Sequence, residues 1–195
     1  GLELPAHVKM ALAMLRGDLP GARWLRDDQL HLTLRFIGEV DPKTAENIHE
    51  ALHELEFAPI EVALHGVGVF GKLRQPRSLW AGVADPQPLT ALHGEVETAL
   101  ARIGLPGEER RYIPHVTLAR FKGRIAGLER VLAEHEDFAA PPFTAEHVTL
   151  FRSHLSQHGA RYEVEERFAA SGTEPVEDAF DAADISAAEK RDMHE

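Results

Sequence analysis

Two hydrophobic periods alternate along this chain. Between Pro5 and Arg16 the apolar residues Val8, Leu12 and Leu15 recur at helical spacing, and Gly17 stops the run. Leu2 to Leu4, just ahead, reads as the end of a strand. Leu30 to Ile37 alternates residue by residue as a strand does, and Asp41-Pro42 then opens a second helix with Asp as N-cap and Pro at its first position. Ile48, Leu52 and Leu55 form the inward face of that helix. Ile60 to Val69 and Ser78 to Ala84 read as strands. Asp85 and Pro86 to Pro88 lead into a helix that buries Leu92, Val96, Leu100 and Ile103 and is closed by Gly104. His115 to Phe121 is a further strand and Ile125 to His135 a short helix. Glu146 to Arg152 and Arg161 to Phe168 pair as a hairpin around Gly159. Long helices alternating with two-sided strands predict an α+β fold whose sheets are open on one face.

Composition sets the outer limits. With 195 residues and 44% hydrophobic content the chain can build one or two compact lobes around a sizeable core. Cysteine is absent, which removes disulfides, thiolate metal sites and a Cys nucleophile and makes a reducing cytoplasm the expected location. The longest apolar run, Ala11 to Leu15, is too short to span a bilayer, and no basic-then-apolar leader is present. No heptad or broad apolar stripe calls for a dimer, so a monomer is expected. The net charge of −11 speaks against nucleic acid as a partner until its distribution is considered. Residues 171–195 carry −6 of it and read as a flexible acidic tail, which leaves −5 on the domain of residues 1–170. Within that domain Val62 to Ala84 and Arg110 to Arg124 contain no acid, and the second holds Arg110, Arg111, Arg120, Lys122 and Arg124. A short RNA terminus at a local basic groove fits this pattern, whereas a long duplex does not.

His-x-Thr-Leu occurs three times, at His31 to Leu34, His115 to Leu118 and His147 to Leu150, where composition alone predicts about 0.06 occurrences. In a strand, His and Thr two residues apart project from one face and the leucine from the other. An imidazole beside a hydroxyl makes a poor core but can hold a phosphate. Cleaving a phosphodiester in line takes a base for the attacking oxygen and an acid for the departing one, on opposite sides of phosphorus. Two histidines can fill both roles near neutral pH. The Thr hydroxyls would donate to non-bridging oxygens, a nearby Arg would offset developing charge, and no metal is required. The first two copies lie 84 residues apart in matching surroundings, and each leaves its strand through a glycine turn, Gly38 or Gly123. The third copy leads into the terminal hairpin, and its His147 reads as a strand residue on a partly covered face.

Over nearly all of Gly1 to Phe168 the chain resembles the two-histidine phosphoesterase superfamily, and within it the RNA 2′,3′-cyclic phosphodiesterase branch, also called the 2′-5′ RNA ligase family. The residues that carry the resemblance are Leu2-Glu3-Leu4-Pro5, Trp24, Leu30 to Gly38, Pro114 to Arg120, and Ser153, Gly159 and Tyr162. It implies a bilobed fold of two pseudo-symmetric halves, whose antiparallel sheets form a central groove with the helices outside. It also implies hydrolysis of a 2′,3′-cyclic phosphate, on an RNA 3′ end or a nucleoside, to a 2′-phosphate without any cofactor, together with reversible 2′-5′ joining. Carried over, His31 is the proton donor and His115 the proton acceptor, while Thr33, Thr117 and Arg120 bind phosphate. Phe36, the counterpart of Arg120, becomes a base-stacking surface. Simple alternation places position 120 on the face away from His115, so the strand must end or twist before Arg120 can reach a phosphate.

Three other readings compete. His49-Glu50-Ala51-Leu52-His53 is a His-Glu-x-x-His pattern on the second helix, as in zinc proteases, but Glu56 and Pro59 stand where the longer form has Gly and His. Ser153, His154 and His158 could suggest a serine nucleophile, yet no nucleophile-elbow glycines surround Ser153. A module that captures RNA ends without turnover is the remaining class.

Overall fold

The computed structural model describes residues 1–17, 19–156 and 159–173. Ten strands and four helices make up this part: β1 (Leu2–Glu3), α1 (Ala6–Ala13), β2 (Ala22–Trp24), β3 (His31–Leu32), α2 (Pro42–His53), β4 (Ile60–Val62), β5 (Leu64–Lys72), β6 (Gln75–Val83), α3 (Gln87–Arg102), β7 (Val116–Phe121), α4 (Leu128–Glu134), β8 (Phe143–Ala145), β9 (His147–Ser156) and β10 (Gly159–Ala169). The expected α+β fold with antiparallel sheets is observed. Acidic residues 174–195 lie outside the described residues.

The principal sheet runs β1-β3-β7-β6-β5, with β2 also paired to β7. Its two sides meet at one residue pair, Leu32 opposite Val116. The β9–β10 ribbon extends the β1 edge, because Gly1 and Thr149 exchange backbone hydrogen bonds of 2.9 and 2.8 Å. β3 and β7 are therefore neighbours near the middle of one continuous surface. A smaller sheet pairs β4 with β8.

One face of this surface is leucine-rich. Leu2, Leu32, Leu79 and Val116 point into the core shared with Ile48 and Leu52 of α2 and Leu89, Leu92, Val96 and Leu100 of α3. The predicted helical faces thus pack where their periodicity placed them. Asp41 caps α2 by accepting from the backbone amides of Lys43 and Thr44 at 3.0 and 3.1 Å, with Pro42 in the first turn. No helix among the described residues is long and apolar enough to cross a membrane.

Some boundaries differ from the sequence expectation. β3 covers only His31 and Leu32 instead of Leu30 to Ile37, because partners from α3 and the 106–112 loop take the ladder's place. His93 Nδ1 donates to the Leu34 carbonyl at 3.0 Å and Tyr112 donates to the Thr33 carbonyl at 3.3 Å. Arg35 pairs with Glu97 at 2.6 Å and donates to the Pro106 carbonyl. α4 starts at Leu128, after Gly127 in a left-handed conformation of φ +78°, and not at Ile125. β2 and β8, three residues each, are too short to show a period.

Candidate active site

Continuing the β3–β7 register by one residue on either side of Leu32 and Val116 sets His31 opposite Thr117 and Thr33 opposite His115. Residues opposite one another in an antiparallel pair share a face. The two histidines therefore occupy one diagonal of a four-residue patch and the two threonines the other, with a diagonal spacing of about 7–8 Å. The patch has local two-fold character about an axis normal to the sheet. A small anion centred on it faces an imidazole on each of two opposite sides and a hydroxyl on each of the others.

Both rings are held in the same way. His31 Nδ1 donates to the carbonyl of Gln29 at 3.0 Å, and His115 Nδ1 donates to that of Ile113 at 2.7 Å, two residues back in each case. A carbonyl only accepts, so the proton of the neutral ring sits on Nδ1 and Nε2 is left to exchange one. Nε2 of His31 lies 3.0 Å from the Thr33 hydroxyl. Burial lowers the pKa of His31 to about 4, reinforced by the chain's amino terminus and Arg120; the Gln29 carbonyl opposes the shift. His115 is likewise lowered, by burial first and then by Arg120. Both imidazoles are neutral at pH 7 in the free protein, and an anion between them would favour their protonated forms.

A register slip in β7 brings Arg120 to the patch. Trp80 pairs with Thr117 and Leu79 with Ala119, so Leu118 is an extra residue opposite no partner in β6. Two consecutive buried positions, Leu118 and Ala119, mark the change of phase. Arg120, paired with Ser78, thereby returns to the face of Thr117 and Trp80, and both histidines sense its charge.

Aromatic rings flank each imidazole, and sequence reasoning did not find them as such. Phe151 and Tyr162 lie 5.2 and 4.5 Å from His31, centroid to centroid, while Phe70 and Trp80 lie 4.8 and 6.2 Å from His115. The indole of Trp80 lies over Gly68, where any Cβ would collide with it. Phe36 is 70% exposed on the segment after β3 and is not among the rings that touch a histidine.

Several of the other candidates have structural partners. In the third tetrapeptide, Thr149 is buried and donates to Glu3 at 3.0 Å, and Glu3 is also bound by Arg167 at 2.6 Å. His49 and His53 both engage Glu166 of β10, at 2.5 and 2.8 Å, and so clamp α2 to the ribbon. Glu50 lines a separate cavity between α2 and α3 with Glu54 and Glu95. Among the described residues no group of three or more His, Asp or Glu side chains is arranged to hold a metal ion. Near Ser153, His154 pairs with Glu163 at 3.1 Å, and His158 lies outside the described residues.

Residues 4–157 match the family model described as the 2′-5′ RNA ligase superfamily. The chain is 35% identical over 153 residues to a protein of Aeropyrum pernix named RNA 2′,3′-cyclic phosphodiesterase, covering 76% of this chain and 87% of that one. A Methanocaldococcus jannaschii protein of the same name is 29% identical over 168 residues, covering 84% and 94%. TT0787 of Thermus thermophilus superposes with a TM-score of 0.71 at 24% identity, covering 86% of this chain and 94% of that structure. Apo E. coli LigT gives 0.70 at 23%, covering 87% and 94%. At such identities these two likenesses are of fold.

Proposed function

The chain belongs to the 2′-5′ RNA ligase superfamily, and from that premise we propose that it hydrolyses a 2′,3′-cyclic phosphate at an RNA end or on a nucleoside to a 2′-phosphate, using His31 and His115 and no metal. The observation that carries this reading is the diagonal of two imidazoles across two threonines, set by the Leu32 to Val116 register. Relatives named for the same activity support it.

The cyclic phosphate sits over the patch, and the Thr33 and Thr117 hydroxyls donate to its non-bridging oxygens. Arg120 faces the charge that builds up on those oxygens in the transition state. Nε2 of neutral His115 takes a proton from water as the water oxygen attacks phosphorus. The bond from phosphorus to the 3′ oxygen breaks on the opposite side, and Nε2 of protonated His31 gives its proton to that oxygen. His115 ends protonated and His31 neutral, and exchange with solvent restores both. Replacing water by the 5′-hydroxyl of a second RNA gives a 2′-5′ linkage by the same proton movements, so ligation is the same chemistry with another nucleophile. A cytoplasmic location and a monomeric state belong to the same proposal, on the sequence grounds given above.

Each of His31→Ala and His115→Ala is expected to lower kcat by about 10²- to 10⁴-fold, the usual worth of a positioned acid or base. Steady-state kinetics on cytidine 2′,3′-cyclic phosphate checks this. Variants that bind and turn over like the parent would overturn the assignment, and a parent that binds without turnover would favour an RNA-end-binding module.

A further inference from the structure

β2 brings a second arginine to the groove that the phosphate patch does not need. Arg23 stands directly opposite Arg120 in the β2–β7 register, so the two share a face. Both are exposed. Like charges placed directly opposite destabilise a strand pair unless something offsets them. Among the described residues neither arginine is in an ion pair; Asp27 is taken by Arg16 and Asp28 by Arg26. Glu3, on the same face as His31, is taken by Arg167.

The pair also lies beyond the reacting phosphate. Arg120 is three residues past Thr117, about 10 Å of strand. Arg120 shares the face of Thr117 and Trp80, and in the reading above it serves the cyclic phosphate. Arg23 extends the other way. Its guanidinium rests against Gly159, where an added Cβ would collide with it, and beside Gln29, whose amide donates to the Ala160 carbonyl. It thus reaches from β2 to the turn end of the β9–β10 ribbon, where Gly159 pairs with Ser156. Arg23, opposite Arg120, is likewise about 10 Å along the strands from Thr117.

We propose that Arg23 binds the phosphodiester on the 5′ side of the terminal nucleotide, so that the site takes RNA ends in preference to mononucleotides. This inference rests on the phosphodiesterase reading above. The probes are cytidine 2′,3′-cyclic phosphate, a dinucleotide ending in a 2′,3′-cyclic phosphate, and the same dinucleotide with its internal linkage replaced by an uncharged methylphosphonate. The parent is expected to favour the charged dinucleotide over the methylphosphonate by about tenfold in kcat/KM, the effect of one charge-assisted hydrogen bond. Arg23→Gln is expected to abolish that difference, chiefly through KM, and to leave the mononucleotide within about twofold. Arg23→Lys should restore part of it. Equal rates of the parent on the two dinucleotides, or an equal loss on all three substrates in Arg23→Gln, would overturn the proposal. A parent inactive on all three would instead overturn the phosphodiesterase reading.

Discussion

Each imidazole donates a hydrogen bond from Nδ1 to a backbone carbonyl two residues earlier, and this local bond leaves Nε2 as the nitrogen that can exchange a proton. The bond also fixes the ring, so Nε2 is aimed without help from a carboxylate. Burial lowers both pKa values, that of His31 to about 4. A lowered pKa means that the proton is lost at a lower pH than in an exposed histidine. The kcat/KM profile, which reports the free protein, is therefore predicted to peak below pH 6.5 and to fall as pH rises from there. The kcat profile, which reports the complex, is predicted to lie at higher pH, because bound phosphate favours the imidazolium forms. The two values belong to the coupled pair and not to either ring alone. A kcat/KM optimum above pH 7, or profiles that coincide, would contradict the burial argument. The histidines and threonines were legible in the sequence because His-x-Thr-Leu writes a two-residue period directly. Phe70, Trp80, Phe151 and Tyr162 were not, since each comes from a different strand or turn of the chain and only the sheet order brings it to a ring.

At the level of elements, one extra residue in β7 decides whether Arg120 shares a face with Thr117 or lies on the opposite one. The sequence carries the necessary condition, since position 120 has the wrong parity relative to His115, but it does not say where the phase breaks. Leu118 and Ala119 are both small enough or apolar enough to be buried in succession, and that only becomes meaningful once β6 supplies the partner register. The short β3 is a similar case. Thr33 to Ile37 keeps the alternation of a strand, yet side chains from α3 and the following loop take its carbonyls. On the other side of the patch, Gly68 leaves room for the indole beside His115. Gly68→Val is predicted to cost about 1–3 kcal/mol of stability by overpacking and to move Trp80. Urea denaturation reads the first effect and tryptophan fluorescence of the folded protein the second. Unchanged stability and spectrum would mean that the indole is not held there.

For the whole molecule, the two motif strands join in one continuous antiparallel surface, with β3 and β7 paired near its middle. Leucines on the helix side hold this surface together, which frees the opposite face for polar and aromatic groups. Helix periods and the terminal hairpin were readable because their apolar faces are long; β2 and β8 were not, because three residues cannot show a period. Charge also acts at this scale. Ending the chain after Thr173 removes eight acids and two bases, more than half of the net −11. This truncation is predicted to lower KM for an RNA oligomer at low ionic strength, with the difference fading near 1 M salt, where the screening length is about 3 Å. Equal KM values at low salt would show that the tail does not act through charge. The central claim, two-histidine hydrolysis without metal, is tested most directly by incubating a nucleoside 2′,3′-cyclic phosphate with the protein in excess EDTA and identifying the product. The predicted result is full conversion to the 2′-phosphate by the parent and none by the His31→Ala/His115→Ala double variant. A 3′-phosphate product, loss of activity in EDTA, or turnover by the double variant would contradict it.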